Sequence, residues 1–571
     1  MERGRGPPRL KRPVGAADEA DMNTPTHLPT RRLARLLAAL SVAALLLFAA
    51  LPGRAAAGQI VADLGFRPDP DGFSFPNYGD EEGYANLDAG EMQRLFGPSV
   101  CVAGKGARCV LTPTARAWMQ SVNEDMAGGH CYGFAVLTEL IHKRQLPEFG
   151  VHSLAAFGSG PTPFSLAIDG NVALQRAIAR AWSFQMLESV NAAVVRGAPS
   201  RILRFLVERA LSPTDPETWT LTIFRRDGTG GHAITPYAVE DMGNGIYQVH
   251  VYDNNWPGDT GRRVTIDTVN DTWRYYAATR PGLAAAEYEG DAQTQSLALH
   301  PTRPGLGVQP CPICVGRQGA GSRYNEIRLQ GGGDEHGHLL IVDSKGRKTG
   351  RVGKRIVNQI PGARVLRRTS SPKPLANGAL LFRDSLEPVY RIPRGVKFKL
   401  RVSGRHMRTT TRESLTLVGP TYDATVQNLV MGPGQVANVH LAPRRQALTY
   451  RASRGTSVPT VSLGAESERA AYNVSVSAVD AKPRSTLMLV KRPRQRLMWI
   501  GDKTTRKRRY QVTIRRFTVN SQARFGARFT IGGHQQAFLY YGPLAREGKA
   551  KIAIYTPSRD RVRVIPVKRL D

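Results

Sequence analysis

The apolar period of this 571-residue chain changes once and does not change back. Between residues 115 and 211 apolar side chains recur at three- and four-residue spacing, whereas from Trp219 onward they recur at every second position. The first pattern predicts helices over 115–126, 131–145, 172–195 and 200–211. The second predicts strands over 220–225, 233–240, 247–252, 263–266 and 272–276. Past about 295 short alternating segments separated by Gly, Pro and Asn continue to the end, which fits one or two β-sandwiches. Helices followed by an antiparallel sheet predict an α+β N-terminal domain.

Charge divides the chain at nearly the same place. Residues 1–300 hold 28 Lys/Arg against 31 Asp/Glu, and residues 301–571 hold 51 against 15. So basic a half points to an anionic partner or to a solvated basic surface. The stretch 491–516 has eleven Lys/Arg against the single Asp502, interleaved with Trp499 and Tyr510. Phosphate-rich nucleic acid would suit such a cluster, but an exported protein rarely meets it. Anionic cell-envelope polymers or a lipid surface are therefore the expected partners, and nucleic acid is disfavoured.

Export is read from the N-terminus. Arg31, Arg32 and Arg35 precede an apolar run over 36–51, followed by Pro52, Gly53 and Ala55-Ala56-Ala57. This is the plan of a secretory signal over 1–57, with Met22 a second candidate start and a secreted or cell-surface protein the product. Five cysteines are an odd number for such a chain. Cys101 lies close to Cys109, and Cys311 to Cys314, so two local disulfides are expected and Cys131 is left over. Cys311 and Cys314 with His336 and His338 also offer four zinc-type ligands, but at a spacing that matches no familiar finger. A disulfide is the expectation there, with no metal and no cofactor.

Cys131 follows Gly128-Gly129-His130 at the first turn of a predicted helix, where the helix dipole favours a thiolate. Gly230-Gly231-His232 opens a strand about one hundred residues later. A turn near 242–245 returns the next strand antiparallel, so that paired residue numbers sum to about 487, which places Asp253, Asn254 and Asn255 around the imidazole. A thiol, a base and an orienting polar group are the parts of a nucleophilic acyl-transfer centre.

Over roughly residues 112–276 these features resemble the papain-like cysteine peptidases. The resemblance implies a papain-like fold, a peptide or protein substrate, and Cys131 and His232 as the catalytic pair. It implies Asp253 or Asn254 as the third residue: strand parity after Val249 and Val251 favours Asp253, and the Asn-x-Trp pattern favours Asn254. It also implies an upstream amide at the oxyanion, for which Gln120 and Asn123 are the candidates. Transglutaminase-like proteins share this order of residues, so an acyl transferase is a competing outcome. The stretch 339–363 resembles β-sandwich modules of large bacterial extracellular proteins.

The expected organisation is a signal over 1–57, an irregular lead-in over 58–111, an α+β papain-like domain over 112–295, a linker over 296–333 and one or two basic β-sandwich domains over 334–571. The alternative is a non-catalytic surface-binding protein whose basic β region binds anionic envelope polymers.

Overall fold

The computed structural model describes residues 58–571 apart from 81–82, 227, 229, 278–286, 315–322, 332–334, 370–386, 420–421, 443–446, 453–458, 468, 480–485, 502–506 and 546–547. The expected signal over 1–57 lies outside the described residues. Among those described, no helix is long and apolar enough to cross a membrane.

The first long helix, Pro113–Met126, starts where its sequence caps it. The Thr112 hydroxyl accepts the Ala115 N–H at 3.2 Å, and Pro113 fills the first helical position, where no N–H is needed. Its buried face carries Ala115, Trp118, Val122 and Met126, and it packs on strands Thr411–Gly419 and Tyr422–Met431 of the C-terminal half. The next helix, Cys131–His142, is apolar nearly all round, and every residue from Cys131 to Leu140 is buried. Gly133 lets it cross the helix Val172–Trp182 closely, since a Cβ there would collide with the Ile178 carbonyl oxygen.

The helix expected over 172–195 is interrupted. It ends at Trp182, passes through a tight turn at Ser183–Met186 and resumes as Glu188–Ala192. The Ser183 hydroxyl donates to the Arg180 carbonyl at 2.6 Å, a side-chain bond that competes with continuation of the helix.

The strands of this half are antiparallel throughout. Their order is Glu287–Asp291, Thr272–Tyr276, Arg263–Asp267, Ile246–Tyr252, His232–Asp241, Trp219–Ile223, Leu297–Pro301 and Val195–Arg196, with Gln59–Asp63 also pairing His232–Asp241. The hairpin pairs Thr235 with Tyr252 and Pro236 with Val251, the register read from its turn, before a bulge shifts Ala238 onto His250.

Two sequence expectations need correction. The lead-in over 58–111 is part of the fold: it supplies the strand Gln59–Asp63 and the helix Ala89–Phe96, and it buries Phe66, Phe73, Tyr78, Met92 and Leu95. The expected linker over 296–333 contains Leu297–Pro301, buried along its length inside the sheet, and Tyr324–Gly331. In both stretches frequent Gly and Pro obscured short buried runs that pack against distant residues.

From Tyr324 onward the described residues form strands, apart from connecting turns and the short 3-10 segments Gly542–Ala545 and Pro557–Arg559. Two antiparallel ladders share one hydrophobic core that reaches from Ile327 to Val567. Consecutive hairpins alternate between them. Thr411–Gly419 with Tyr422–Met431 joins the first ladder, and Val436–Ala442 with Ala447–Ala452 joins the second. Thr460–Ser467 with Ala470–Ala478 returns to the first, and Thr486–Arg492 with Leu497–Gly501 to the second. Arg508–Phe517 with Gln522–Ile531, then Gln536–Tyr540 with Ala550–Thr556, complete a third round. Arg561–Arg569 pairs with both ladders. Successive rounds begin at Thr411, Thr460 and Arg508, a repeat of roughly fifty residues. No fixed period is evident in the sequence, because the repeat preserves alternation and turn spacing while its residues differ.

Residues 58–571 form one compact unit. Its halves are tied by buried charge. Asp125 of the helix Pro113–Met126 pairs with Arg328 and Arg368 and accepts the Gln330 amide at 2.7 Å. Arg328 and Arg391 share Glu326, with closest approaches of 2.6 and 2.9 Å. Breaking such a buried network by removing one partner leaves an uncompensated charge.

Candidate active site

Gly129, at φ 145°, makes the turn that brings the chain to Cys131, a conformation side chains disfavour. The preceding His130 is an anchor. Its N–H donates to Asn77 Oδ1 at 2.7 Å, its Nδ1 donates to the Tyr78 carbonyl at 2.8 Å, and its Nε2 meets the Asn86 side chain. Burial holds the His130 imidazole down at about 4. Cys131 then opens its helix with the thiol at the end where backbone N–H groups point.

His232 opens the strand His232–Asp241, and its Nε2 lies 2.8 Å from Asp253 Oδ1. The same carboxylate accepts the Asn255 N–H at 2.9 Å and the Tyr275 hydroxyl. The Cys131 side chain also interacts with this imidazole. With Nε2 occupied by Asp253, Nδ1 is buried without a hydrogen-bond partner and is the nitrogen open to the sulfur. Burial alone would depress the His232 pKa, but the Asp253 charge, its hydrogen bond and the Cys131 side chain outweigh burial and push it up to about 10. For Asp253 burial works in the opposite direction, and the His232 charge together with three hydrogen bonds holds its carboxyl below the usual range.

Asn254 has a different position. Its Nδ2 donates to the backbone oxygens of Cys131 and Ala233, at 3.1 and 2.9 Å. Of the two candidates for the third position, Asp253 meets the imidazole and Asn254 joins the two backbones. Cys131, His232 and Asp253 are each 0% exposed.

The structure places neither oxyanion candidate among these contacts. Gln120 is exposed and lines a polar cavity of about 370 Å³ with Arg116, Asp423 and Arg515. Asn123 is engaged at both ends with the Leu87 backbone, at 3.2 and 2.9 Å. Order along the chain makes both residues candidates, but their helix turns them toward other partners. Cys101–Cys109 and Cys311–Cys314 are disulfides and Cys131 is the free thiol, so Cys311 and Cys314 are not open to zinc.

Sequence reasoning missed Tyr275 and Asn77, whereas Asn255 stands beside Asp253 as the register places it. Tyr275 was within reach, since it pairs with Val264, which pairs with Val249, on the face that leads to Asp253. Asn77 carried no signal. It donates its amide to Asn255 Oδ1 at 3.2 Å and its N–H to the Asn254 carbonyl at 2.8 Å, across 178 positions of sequence.

The basic stretch 491–516 forms strand surfaces in which Met498, Ile500, Tyr510, Val512 and Ile514 point inward. Arg492, Arg494, Arg509 and Arg515 are exposed, while Lys491 turns inward and donates to the Gly464 carbonyl at 2.8 Å. Residues 502–506 of the stretch lie outside the described residues. Comparison of the chain with known protein families, with curated proteins and with solved structures finds no match.

Proposed function

We propose that the chain is an exported papain-like cysteine peptidase or amide acyl transferase. Cys131 is the nucleophile, His232 the general base and acid, and Asp253 the group that holds the imidazole. The observation that carries this reading is the His232 ring fixed at 2.8 Å on Asp253, with the Cys131 thiol at a helix N-terminus held close to the His232 strand by the Asn254 amide that bridges the Cys131 and Ala233 carbonyls. An imidazolium and a helix N-terminus are the two surroundings that favour a thiolate. The sulfur attacks the carbonyl carbon of a peptide-type amide. His232 passes its proton to the departing amine as the C–N bond breaks, leaving a thioester. Water or an amine then attacks the thioester, losing a proton to His232, and the thiolate departs. Water as acceptor makes the protein a peptidase; an amine makes it a transferase. Two disulfides beside one free thiol accord with export to an oxidising compartment.

Substrate reaches a fully buried thiol only after local opening. Gly231, next to His232, pairs with Thr369 and has the Arg368 carbonyl against its Cα. The test is alkylation of the folded chain by iodoacetamide at about pH 6, where an ordinary thiol is almost wholly protonated, with the label located by mass. Labelling at Cys131 that slows at least about tenfold in His232→Ala supports the reading. Equal rates in the two proteins would overturn it.

The burial of Cys131 and His232 favours a second reading, a non-catalytic protein that binds anionic envelope polymer through its exposed arginines. Salt-sensitive retention on a polyphosphate matrix, together with no labelling of Cys131, would select it.

A further inference from the structure

The geometry points to a binding site for a divalent transition-metal ion of the zinc class, formed by His336, His338 and Glu387 with Glu413 beside them, where the two β ladders begin. It does not rest on the catalytic reading. One ligand atom from each of His336, His338 and Glu387 lies within 4.8 Å of the others. Donors about 2.0–2.2 Å from one ion stand at most about 4 Å apart, so small side-chain movements close the site. His338 Nδ1 is 3.2 Å from Glu387 Oε2, and the two imidazoles meet edge to face with centroids 5.1 Å apart.

The surroundings aim the carboxylates. Glu387 Oε1 accepts the Leu339 N–H at 3.1 Å and the Tyr390 hydroxyl at 2.7 Å, which leaves Oε2 turned to the histidines. Supporting hydrogen bonds of this kind fix metal ligands. Glu413, 2% exposed, gives Oε1 to the Gly337 N–H, between the two histidines, and to the Thr411 hydroxyl. Its Oε2 is buried without a partner. Two carboxylates buried side by side repel each other, and a dication held by His336, His338 and Glu387 would relieve this.

Two imidazoles with carboxylate oxygens suit zinc and its neighbours better than calcium or magnesium, which take oxygen ligands. His338 pairs with Ser403 in one ladder, and Glu413 pairs with Leu429 in the other. A bound ion would therefore pin the ladders together at the start of the repeat array.

The test uses the full chain carrying Cys131→Ser, so that the free thiol cannot take metal. After dialysis against EDTA, zinc chloride is titrated by calorimetry and the melting midpoint is followed. One equivalent per chain and a raised midpoint are expected. His338→Asn and Glu387→Gln should each weaken binding at least about tenfold. If Glu387→Gln does not fold by circular dichroism, His338→Asn, whose ring is partly exposed, decides alone. Absence of saturable binding in the folded parent, affinity unchanged in the folded variants, or equal binding of calcium chloride would each overturn the site.

Discussion

Asn254 and Cys131 are joined by a hydrogen bond of 3.1 Å from the Asn254 amide to the Cys131 carbonyl, and the same amide holds Ala233 at 2.9 Å. One side chain thus sets the spacing between the helix that carries the thiol and the strand that carries His232. Asn254→Ala leaves two buried acceptors without this donor and should lower stability by about 1–3 kcal/mol in urea unfolding. A change under about 0.5 kcal/mol would remove Asn254 from this role.

Asp253 should be the more costly loss. Asp253→Ala leaves the buried His232 without its counter-charge, with an expected destabilisation of about 3–5 kcal/mol. In Asp253→Asn the carboxylate field is gone and burial remains, so the His232 imidazole should titrate well below its value in the parent. Proton-detected NMR of the ring reads this directly, and an unmoved titration would contradict the pairing.

The same pair predicts how stability changes with pH. His232 holds its proton more tightly in the folded chain, at about 10, than its ordinary 6.5. Its contribution is present in full below about pH 6.5 and is lost as pH rises toward 10. Asp253, held below its ordinary value of 3.8, contributes above that value and loses its contribution as pH falls through the lowered one. The pair therefore stabilises most between about pH 4 and 6.5. Urea unfolding at pH 6 and pH 9 should show a loss on the order of 3 kcal/mol in the parent, and His232→Gln should lack that component.

Gly133→Ala tests the helix crossing behind the thiol. The added methyl would meet the Ile178 carbonyl oxygen, which is backbone and cannot turn aside. A loss of about 1–3 kcal/mol is expected in thermal unfolding. A neutral result would mean that the helices have room to part.

Asp125→Ala tests the tie between the halves. It leaves Arg328 and Arg368 buried with a shared partner removed. A destabilisation of about 3–5 kcal/mol is expected, with a single calorimetric transition splitting into two.

The sequence made the local elements legible, along with the centre of the candidate site. Thr112-Pro113 announced a helix, alternation announced the strands, and the turn over 242–245 set the register that brings Asp253 near His232. What stayed hidden depends on contacts between distant residues. Asn77 and Tyr275 reach the site only through packing, Gln120 and Asn123 follow the direction of their helix, and Leu297–Pro301 is recognisable as a central strand only once its neighbours are known. The hairpin repeat was invisible for a related reason: ladder pairing is made by backbone, and it constrains which positions are apolar far more than which residues fill them.

Each round of that repeat lays two strands on each ladder, so each round lengthens the body by about 10 Å. Its reach is therefore quantised. Whole rounds could be gained or lost between related chains without disturbing the ends, while half a round would leave one ladder longer than the other. Arg561–Arg569 pairs with the second ladder along Ala550–Thr556 and with the first at Phe525 and Gly526, so it ties the third round across both ladders.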